Sequence, residues 1–121
     1  MMNLNANAAR GEIWEVQFNP SEGDEIRKIR PAVVMDVKDA GRMRLHIVVP
    51  ITGWQTVFGR YFWIVNIQPD VNNGLRKESA ADAFQIKSVS TRRFQQKIGL
   101  VTAEQLAQIT TAAAYCIGYR L

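Results

Sequence analysis

Residues 19–34 read NPSEGDEIRKIRPAVV, a charged loop that continues directly into an apolar, β-prone segment. The loop carries both acidic and basic side chains: Glu22, Asp24, Glu25, Arg27, Lys28 and Arg30. A residue that precedes proline is restricted to extended geometry, so Arg30, which precedes Pro31, is predicted at the mouth of a strand. Loops held by a rigid scaffold often carry function. Arg30 is therefore the first candidate functional side chain.

Strand-like segments lie on both sides of this loop. Apolar patterns predict strands at 11–18, 31–37, 43–51 and 61–67, one or two more within 80–89, and a short last strand at 98–101. A short turn at 38–41, which ends in glycine, predicts a hairpin between the second and third strands. In the third strand, alternation places two sets of side chains on opposite faces: Leu45, Ile47 and Val49 on one, and Arg44, His46 and Val48 on the other.

The end of the chain has a helical pattern. Thr102 and Gln105 match a capping box at a helix N-terminus. Apolar residues then recur at helical spacing towards Tyr119, namely Leu106, Ile109, Ala113 and Ile117. Cys116 is expected to pack there as a small hydrophobe. Many short strands followed by one helix predict a mainly β fold with a C-terminal α-helix, arranged as a small barrel or sheet.

Composition limits the class of protein. The chain has 121 residues, 47% of them hydrophobic, which is enough for one domain with a real core. The net charge of +4 and the pI of about 9.6 favour an anionic partner such as nucleic acid. One cysteine and one histidine exclude a disulfide framework within the chain, a His-rich metal site and a two-histidine ribonuclease mechanism.

No targeting or membrane segment is predicted. Residues 1–9 are polar and small and lack the pattern of a signal peptide, so a flexible tail is expected there. No apolar run approaches the roughly 18 residues of a membrane span. We therefore expect one domain over residues 1–121 that works in the reducing cytoplasm.

The candidate chemistry rests on one arginine and one threonine. The P-loop, G-x-G-x-x-G, H-E-x-x-H and G-x-S-x-G signatures do not occur. Arg30 begins the second predicted strand and Thr52 follows the third, so a hairpin places both at the same end. An arginine fork beside a hydroxyl is a natural phosphate site. Glu25 is a candidate base or an anchor for Arg30; the alternative is a surface arginine paired with Glu22 or Glu25 and a threonine that caps a turn.

Several short motifs occur in an order that resembles the MazF/PemK toxins. These motifs are Arg10-Gly11-Glu12-Ile13-Trp14, Asn19-Pro20, Gly23-Asp24-Glu25, Arg30-Pro31-Ala32-Val33-Val34, Val48-Val49-Pro50-Ile51-Thr52, Gln85-Ile86-Lys87-Ser88-Val89 and the segment 99–119. The resemblance covers about residues 10–119. It implies a small SH3-like barrel of the MazF/PemK/CcdB type, with a C-terminal helix, that acts as a homodimer.

The activity implied by the resemblance is sequence-specific cleavage of single-stranded RNA, chiefly messenger RNA, without a metal or cofactor. The 2′-hydroxyl attacks the adjacent phosphorus, which leaves a 2′,3′-cyclic phosphate and a free 5′-hydroxyl. The family's catalytic pair falls on Arg30 and Thr52, and its acidic loop residue falls on Glu25. A cognate antitoxin is the expected partner; such antitoxins often have an acidic, disordered tail, which would cover the basic groove around Arg30.

Further positions are expected to contact the substrate. The resemblance implies base contacts at Phe84, Gln85, Lys87 and Ser88. Many relatives have an acid where this chain has Phe84, so a ring that can stack replaces a carboxylate that reads a base edge.

The charged and aromatic loop residues add candidates. Residues 52–60, predicted as a mobile loop, offer Trp54 for stacking on bases, with hydrophobic packing as the alternative. Asp24, next to Glu25, is a candidate substrate contact. The basic candidates for phosphate contacts are Arg27, Lys28, Arg92 and Arg93, with ordinary solvated charge as the alternative.

Two other functions are compatible with the same features. The gyrase-poisoning CcdB toxins are similar in barrel architecture and act by protein contact, although the presence of Arg30 and Thr52 favours the ribonuclease. A basic RNA-binding barrel without chemistry predicts salt-dependent binding and no cleavage product.

Overall fold

A computed structural model of the chain describes residues 7–37 and 44–120. It contains seven strands and one α-helix, which are β1 (Glu12–Gln17), β2 (Ile29–Val34), β3 (Leu45–Gly53), β4 (Ile64–Ile67), β5 (Ser79–Asp82), β6 (Lys87–Ser90), β7 (Phe94–Leu100) and α1 (Ala103–Cys116). The predicted mainly β fold with a C-terminal helix is confirmed. Within the described part of the chain, no helix has the length and hydropathy that a membrane crossing requires.

The strands form one antiparallel path that curls into a barrel-like shape. Its order is β4-β5-β3-β2-β1-β7, and β6 pairs with β3 beside this path. Residues 91–93 join β6 directly to β7. Because of this short connection, the two ends of the run β6-β3-β2-β1-β7 lie close together. The described strands do not close the path by pairing β4 with β7.

Two apolar cores lie on opposite faces of the central strands. The first lies between the sheet and α1 and consists of Ile13, Val33, Met35, Val49, Ile51, Val65, Ile67, Ala81, Ala83, Ile109, Ala112 and Ala113. The second fills the curl of β6-β3-β2-β1-β7 and consists of Ala8, Val16, Phe18, Ala32, Val34, Val48, Val89 and Phe94. Ala8 therefore packs in the second core, whereas residues 1–6 of the predicted tail lie outside the described residues.

Several strand boundaries differ from the prediction. β2 begins at Ile29 and ends at Val34, so Arg30 lies within the strand. β3 extends to Gly53 and includes Thr52, β4 begins only at Ile64, and β7 begins earlier than predicted. The turn at 38–41 and the start of the predicted third strand at residue 43 lie outside the described residues.

Burial changes along one of the predicted faces of β3. Leu45 and Ile47 are 40% and 38% exposed, whereas Val49 on the same predicted face is buried. The reason is that the first core covers this face from Val49 onwards. His46 is buried on the other face, where its Nδ1 lies 3.0 Å from an Asp36 carboxylate oxygen. His46 is thus a structural residue.

Helix α1 begins as predicted and ends early. Thr102 and Gln105 form both hydrogen bonds of a capping box. The helix ends at Cys116 and not at Tyr119, because Gly118 adopts a left-handed φ of +92° and its N–H donates to the Tyr115 carbonyl. Ile117, which continues the helical spacing in the sequence, is consequently outside the helix and 82% exposed.

Candidate active site

A cleft opens where β2 and β3 separate. The two strands pair from Val34–Val48 to Ala32–Pro50, and continuing this register places Arg30 opposite Thr52. Beyond Pro50, β3 pairs instead with β5, with Thr52 opposite Ala80. The strands therefore diverge, and a cleft of about 350 Å³ lies at this end of the hairpin. The predicted proximity of Arg30 and Thr52 is a direct result of the antiparallel register.

The cleft is lined mainly by β-strand residues and by the loop that precedes β5. The lining residues are Glu15, Arg30, Pro31, Ile51, Thr52, Gly53, Gly74, Leu75, Arg76, Lys77, Ser79, Gln96 and Ile98. Three of them are cations (Arg30, Arg76 and Lys77) and one, Glu15, is an acid. The resulting excess of positive charge suits an anionic ligand such as a phosphodiester.

The Arg30 side chain is half-buried and has no internal partner at its Nε. This atom is buried, and its N–H donates no hydrogen bond within the described structure. Arg30 also forms no ion pair among the described residues, so the alternative of a surface pair with Glu22 or Glu25 is wrong. A buried donor without a partner costs about 1–3 kcal/mol. Arg30 thus retains its hydrogen-bonding capacity for a ligand in the cleft.

Glu25 lies beside a second depression, not in the cleft. This depression has a volume of about 420 Å³ and is lined by Asp24, Glu25, Ile26, Phe84, Gln85, Ile86 and Lys87. The Glu25 carboxylate accepts a hydrogen bond of 2.8 Å from the Glu22 N–H and is otherwise exposed. The structure therefore brings Arg30 and Thr52 together in one hollow, and four of the predicted substrate-binding residues together in the other, namely Asp24, Phe84, Gln85 and Lys87.

Aromatic rings support Phe84 at the second depression. Phe84 is 64% exposed, and its ring meets the Trp63 ring edge-on at 5.8 Å between centroids. Trp63 in turn stacks on Tyr61 at 4.7 Å. Trp54 lines neither hollow and packs edge-on against Phe58 at 5.8 Å. This contact favours the hydrophobic alternative for Trp54, in a segment that contains a short 3₁₀ helix, Thr56–Arg60.

The basic loop residues have different environments. The Arg27 guanidinium donates to the Gly23 carbonyl within its own loop, and Lys28 is exposed at a left-handed φ of 68°. The Arg93 guanidinium instead donates to the carbonyls of Gln17 and Asn19, which anchors the loop base. Arg93 is therefore a structural residue of this loop. The other predicted positions, Ser88 on β6 and Arg92, are exposed.

Some residues that line the cleft were not predicted from the sequence. Arg76 and Lys77 belong to a visible charged run before β5, but nothing local indicates that this run faces the end of β3. Glu15 and Gln96 are paired across β1 and β7, and Gln96 donates to Glu15 at 2.7 Å. Only the long-range pairing of β1 with β7 shows that Glu15 and Gln96 lie together in the cleft. Among the described residues, no cluster of three or more His, Cys, Asp or Glu could hold a metal ion.

Comparison with known proteins gives the family. The sequence profile of the PemK-like, MazF-like toxins of type II toxin–antitoxin systems matches residues 9–117. This chain belongs to that toxin family. The resemblance seen in its motifs is thereby confirmed, from the segment at Arg10 to the C-terminal helix.

Relatives of this toxin are similar over most of its length. Endoribonuclease MazF9 of Mycobacterium tuberculosis (strain ATCC 25618 / H37Rv) is 36% identical over 109 residues, which are 85% of this chain and 90% of the relative. The crystal structure of MazF from Deinococcus radiodurans has a TM-score of 0.76 at 21% identity and covers 93% of this chain and 97% of its own. An endoribonuclease in complex with its cognate antitoxin from Mycobacterial species has a TM-score of 0.72 at 16% identity, with 94% and 98% covered. These structures establish the barrel-like MazF fold.

Proposed function

We propose that this toxin is a sequence-specific endoribonuclease that cuts single-stranded RNA, chiefly messenger RNA, at the cleft between β2 and β3. The observation that supports this most is that Arg30 and Thr52 line the same cationic cleft, with the buried Arg30 Nε unpartnered. The relative named Endoribonuclease MazF9 supports the same activity. Messenger RNA as the substrate places the toxin in the cytoplasm.

The reaction needs no metal ion in this proposal. The ribose 2′-hydroxyl attacks the adjacent phosphorus, the bond to the 5′-oxygen breaks, and the products carry a 2′,3′-cyclic phosphate and a 5′-hydroxyl. The Arg30 guanidinium, which stays protonated, stabilises the charge of the phosphorane and donates a hydrogen bond to the leaving 5′-oxygen. That oxygen takes its proton from solvent as the bond to phosphorus breaks. Thr52 donates a hydrogen bond to the phosphate. One preorganised donor of this kind supplies about 3–4 kcal/mol.

Glu25 is the proposed acceptor of the 2′-hydroxyl proton. Its carboxylate is exposed, and its loop leads within five residues to Arg30. Because Glu25 lines the second depression and Arg30 lines the cleft, the RNA must cross from one hollow to the other. The scissile phosphate then lies at the cleft and the attacking ribose towards Glu25.

The second depression is the proposed base-recognition site. Phe84 offers an exposed ring that Trp63 and Tyr61 hold in place, which suits stacking on a splayed base. Lys87, Ser88 and Asp24 supply polar contacts around that ring. A stacking platform discriminates less sharply than a carboxylate that reads a base edge, so tolerance at this nucleotide is expected.

Two protein partners belong to the proposal. The first is a second copy of the chain, because an apolar groove of about 820 Å³ between β4 and α1, which includes Phe62 and Tyr115, is open on the surface. The second is a cognate antitoxin that covers the basic cleft at Arg30. A solved relative is described as an endoribonuclease in complex with its cognate antitoxin.

The test is cleavage of a long single-stranded RNA by purified toxin in EDTA. We expect fragments with 5′-hydroxyl ends that a polynucleotide kinase labels directly, and loss of these fragments with Arg30→Ala and Thr52→Ala. Gln95→Met, which alters an exposed side chain on β7, should leave the pattern unchanged. Intact RNA after wild-type treatment would overturn the proposal, and capture of gyrase by the same inactive protein would favour the CcdB-like alternative.

A further inference from the structure

The side chain of Gln85 connects two segments that are far apart in sequence. Its Oε1 accepts a hydrogen bond of 2.6 Å from the Ile26 N–H. Its Nε2 donates to the Asp24 carbonyl at 3.3 Å and to an Asp82 carboxylate oxygen, also at 3.3 Å. Both ends of the Gln85 amide are therefore engaged inside the protein.

The two backbone groups that Gln85 binds flank Glu25. One is the carbonyl of the preceding residue, Asp24, and the other is the N–H of the following residue, Ile26. The amide of Gln85 thus holds the backbone of Glu25 from both sides, as a neighbouring strand would. The Glu25 side chain itself is left exposed.

Asp82 fixes the orientation of this amide. One carboxylate oxygen of Asp82 accepts from the Phe84 N–H at 3.1 Å, and the other accepts from Gln85 Nε2. With two acceptors on one side and an N–H donor on the other, only one orientation of the Gln85 amide satisfies all its partners. Burial raises the pKa of Asp82 above its usual value, and the hydrogen bonds from Phe84 and Gln85 offset only part of this rise. The contacts run from the end of β5 through Asp82 and Gln85 to the acidic loop.

We propose that Gln85 is a positioning residue that fixes Glu25 for catalysis, and not a reader of RNA bases. This rests on the proposed RNA cleavage with Glu25 as the proton acceptor. A base contact by Gln85 would require breaking hydrogen bonds that hold the loop. Removing the amide therefore misplaces Glu25 relative to the scissile ribose while the phosphate cleft at Arg30 stays intact.

Limited proteolysis tests the positioning without reference to activity. The loop contains trypsin sites after Arg27 and Lys28, two and three residues beyond Glu25. Gln85→Met removes both hydrogen-bonding ends at similar volume and should speed cleavage at these sites by about tenfold, as expected for the loss of local hydrogen bonds. Gln95→Met is the matched control and should cleave at the wild-type rate.

A general loss of stability is distinguished within the same digest. Lys97 lies in β7, so cleavage after Lys97 reports unfolding of the sheet. Faster cleavage at Arg27 and Lys28 with unchanged cleavage at Lys97 supports a local loss of loop order. Equal rates for Gln85→Met and Gln95→Met at the loop sites would overturn the positioning role.

Kinetics then tests whether Gln85 acts through Glu25. Gln85→Met should lower kcat by about 10- to 100-fold, as misplacement of a reacting group does, while KM changes little because the phosphate cleft is kept. In a Glu25→Ala background, Gln85→Met should cause no further loss. Additive losses, or a rise in KM with unchanged kcat, would show base reading and refute the inference. If wild-type toxin cuts no RNA, the proposed function fails, and the digest still decides whether Gln85 holds the loop.

Discussion

The loop between β4 and β5 should depend on the amide of Asn73. Asn73 is fully buried. Its Oδ1 accepts from the N–H groups of Asp70 and Leu75 at 3.2 and 3.0 Å, and its Nδ2 donates to the Gln68 carbonyl at 2.8 Å. The loop also packs tightly on β7, since a Cβ at Gly99 would lie 2.4 Å from the Asn72 carbonyl oxygen. The same loop forms one wall of the cleft that contains Arg30 and Thr52.

Asn73→Ala removes all three of these side-chain hydrogen bonds. Each backbone group left without a partner costs about 1–3 kcal/mol, and the lower value applies because Gln68 and Asp70 lie near solvent. Three groups at about 1 kcal/mol each give a loss of about 3 kcal/mol in the free energy of unfolding. That is a large part of the roughly 5–15 kcal/mol by which a typical domain is stable.

Urea denaturation followed by the fluorescence of the three tryptophans measures this loss. We expect a lower midpoint with an unchanged slope. Asn72→Ala is the matched control, because its exposed side chain makes no hydrogen bond within the described structure, and it should stay within about 0.5 kcal/mol of the wild type. A loss for Asn73→Ala no larger than that of Asn72→Ala would refute the reasoning.

Three further predictions follow from individual side chains. Arg30→Ala should reduce the single-turnover rate of RNA cleavage by about 10²–10³-fold. The rate of Arg30→Lys should also stay well below wild type, because lysine keeps the charge but lacks the planar guanidinium. A wild-type rate for Arg30→Lys would instead argue for simple charge attraction. Burial raises the pKa of Glu12, but hydrogen bonds from the Ala9 N–H, Trp14 Nε1 and the Lys97 ammonium lower it overall. The ionised Glu12 therefore stabilises the folded protein above the unfolded-state pKa, and this contribution is lost as acid protonates Glu12 in both states. Glu12→Gln should cost about 1 kcal/mol of unfolding free energy at neutral pH and nothing in acid, as urea titrations at the two pH values would show. Burial and then Asp82 raise the pKa of the Cys116 thiol, so its alkylation by iodoacetamide at neutral pH should be slower than that of a cysteine in a short peptide.

The shared cleft of Arg30 and Thr52 could be predicted from the sequence, because the pairing of a hairpin is local information. Pro31 predicts an extended backbone at Arg30, and a short turn predicts that the two neighbouring strands pair as a hairpin. The observed pairing runs from Val34–Val48 to Ala32–Pro50, so Arg30 and Thr52 lie beyond the same end of it. The capping box at Thr102 is readable for the same reason, since both of its partners lie within one helical turn.

Other features depend on contacts between distant segments. Gln85 binds the loop at Ile26, 59 residues earlier, and Arg93 binds Gln17 across 76 residues. In sequence, both residues look like polar groups available to a ligand. The burial of both Val48 and Val49 has a similar origin, because no local pattern shows that β3 has a core on each face.

The two hollows differ in the elements that hold them, and in our proposal this difference separates RNA cleavage from base recognition. The first cleft is built largely on strands, so Arg30 on β2 and Thr52 on β3 keep their places as long as the sheet forms. The second depression is built from a loop and a 3₁₀ turn that the amide of Gln85 connects. We expect substitutions around it, such as the ring of Phe84 in place of an acid, to alter the proposed base contact without disturbing the strands. Glu25, the proposed proton acceptor, lines this second depression. We therefore expect substitutions there to disturb the placement of Glu25 more than the proposed binding of phosphate at Arg30.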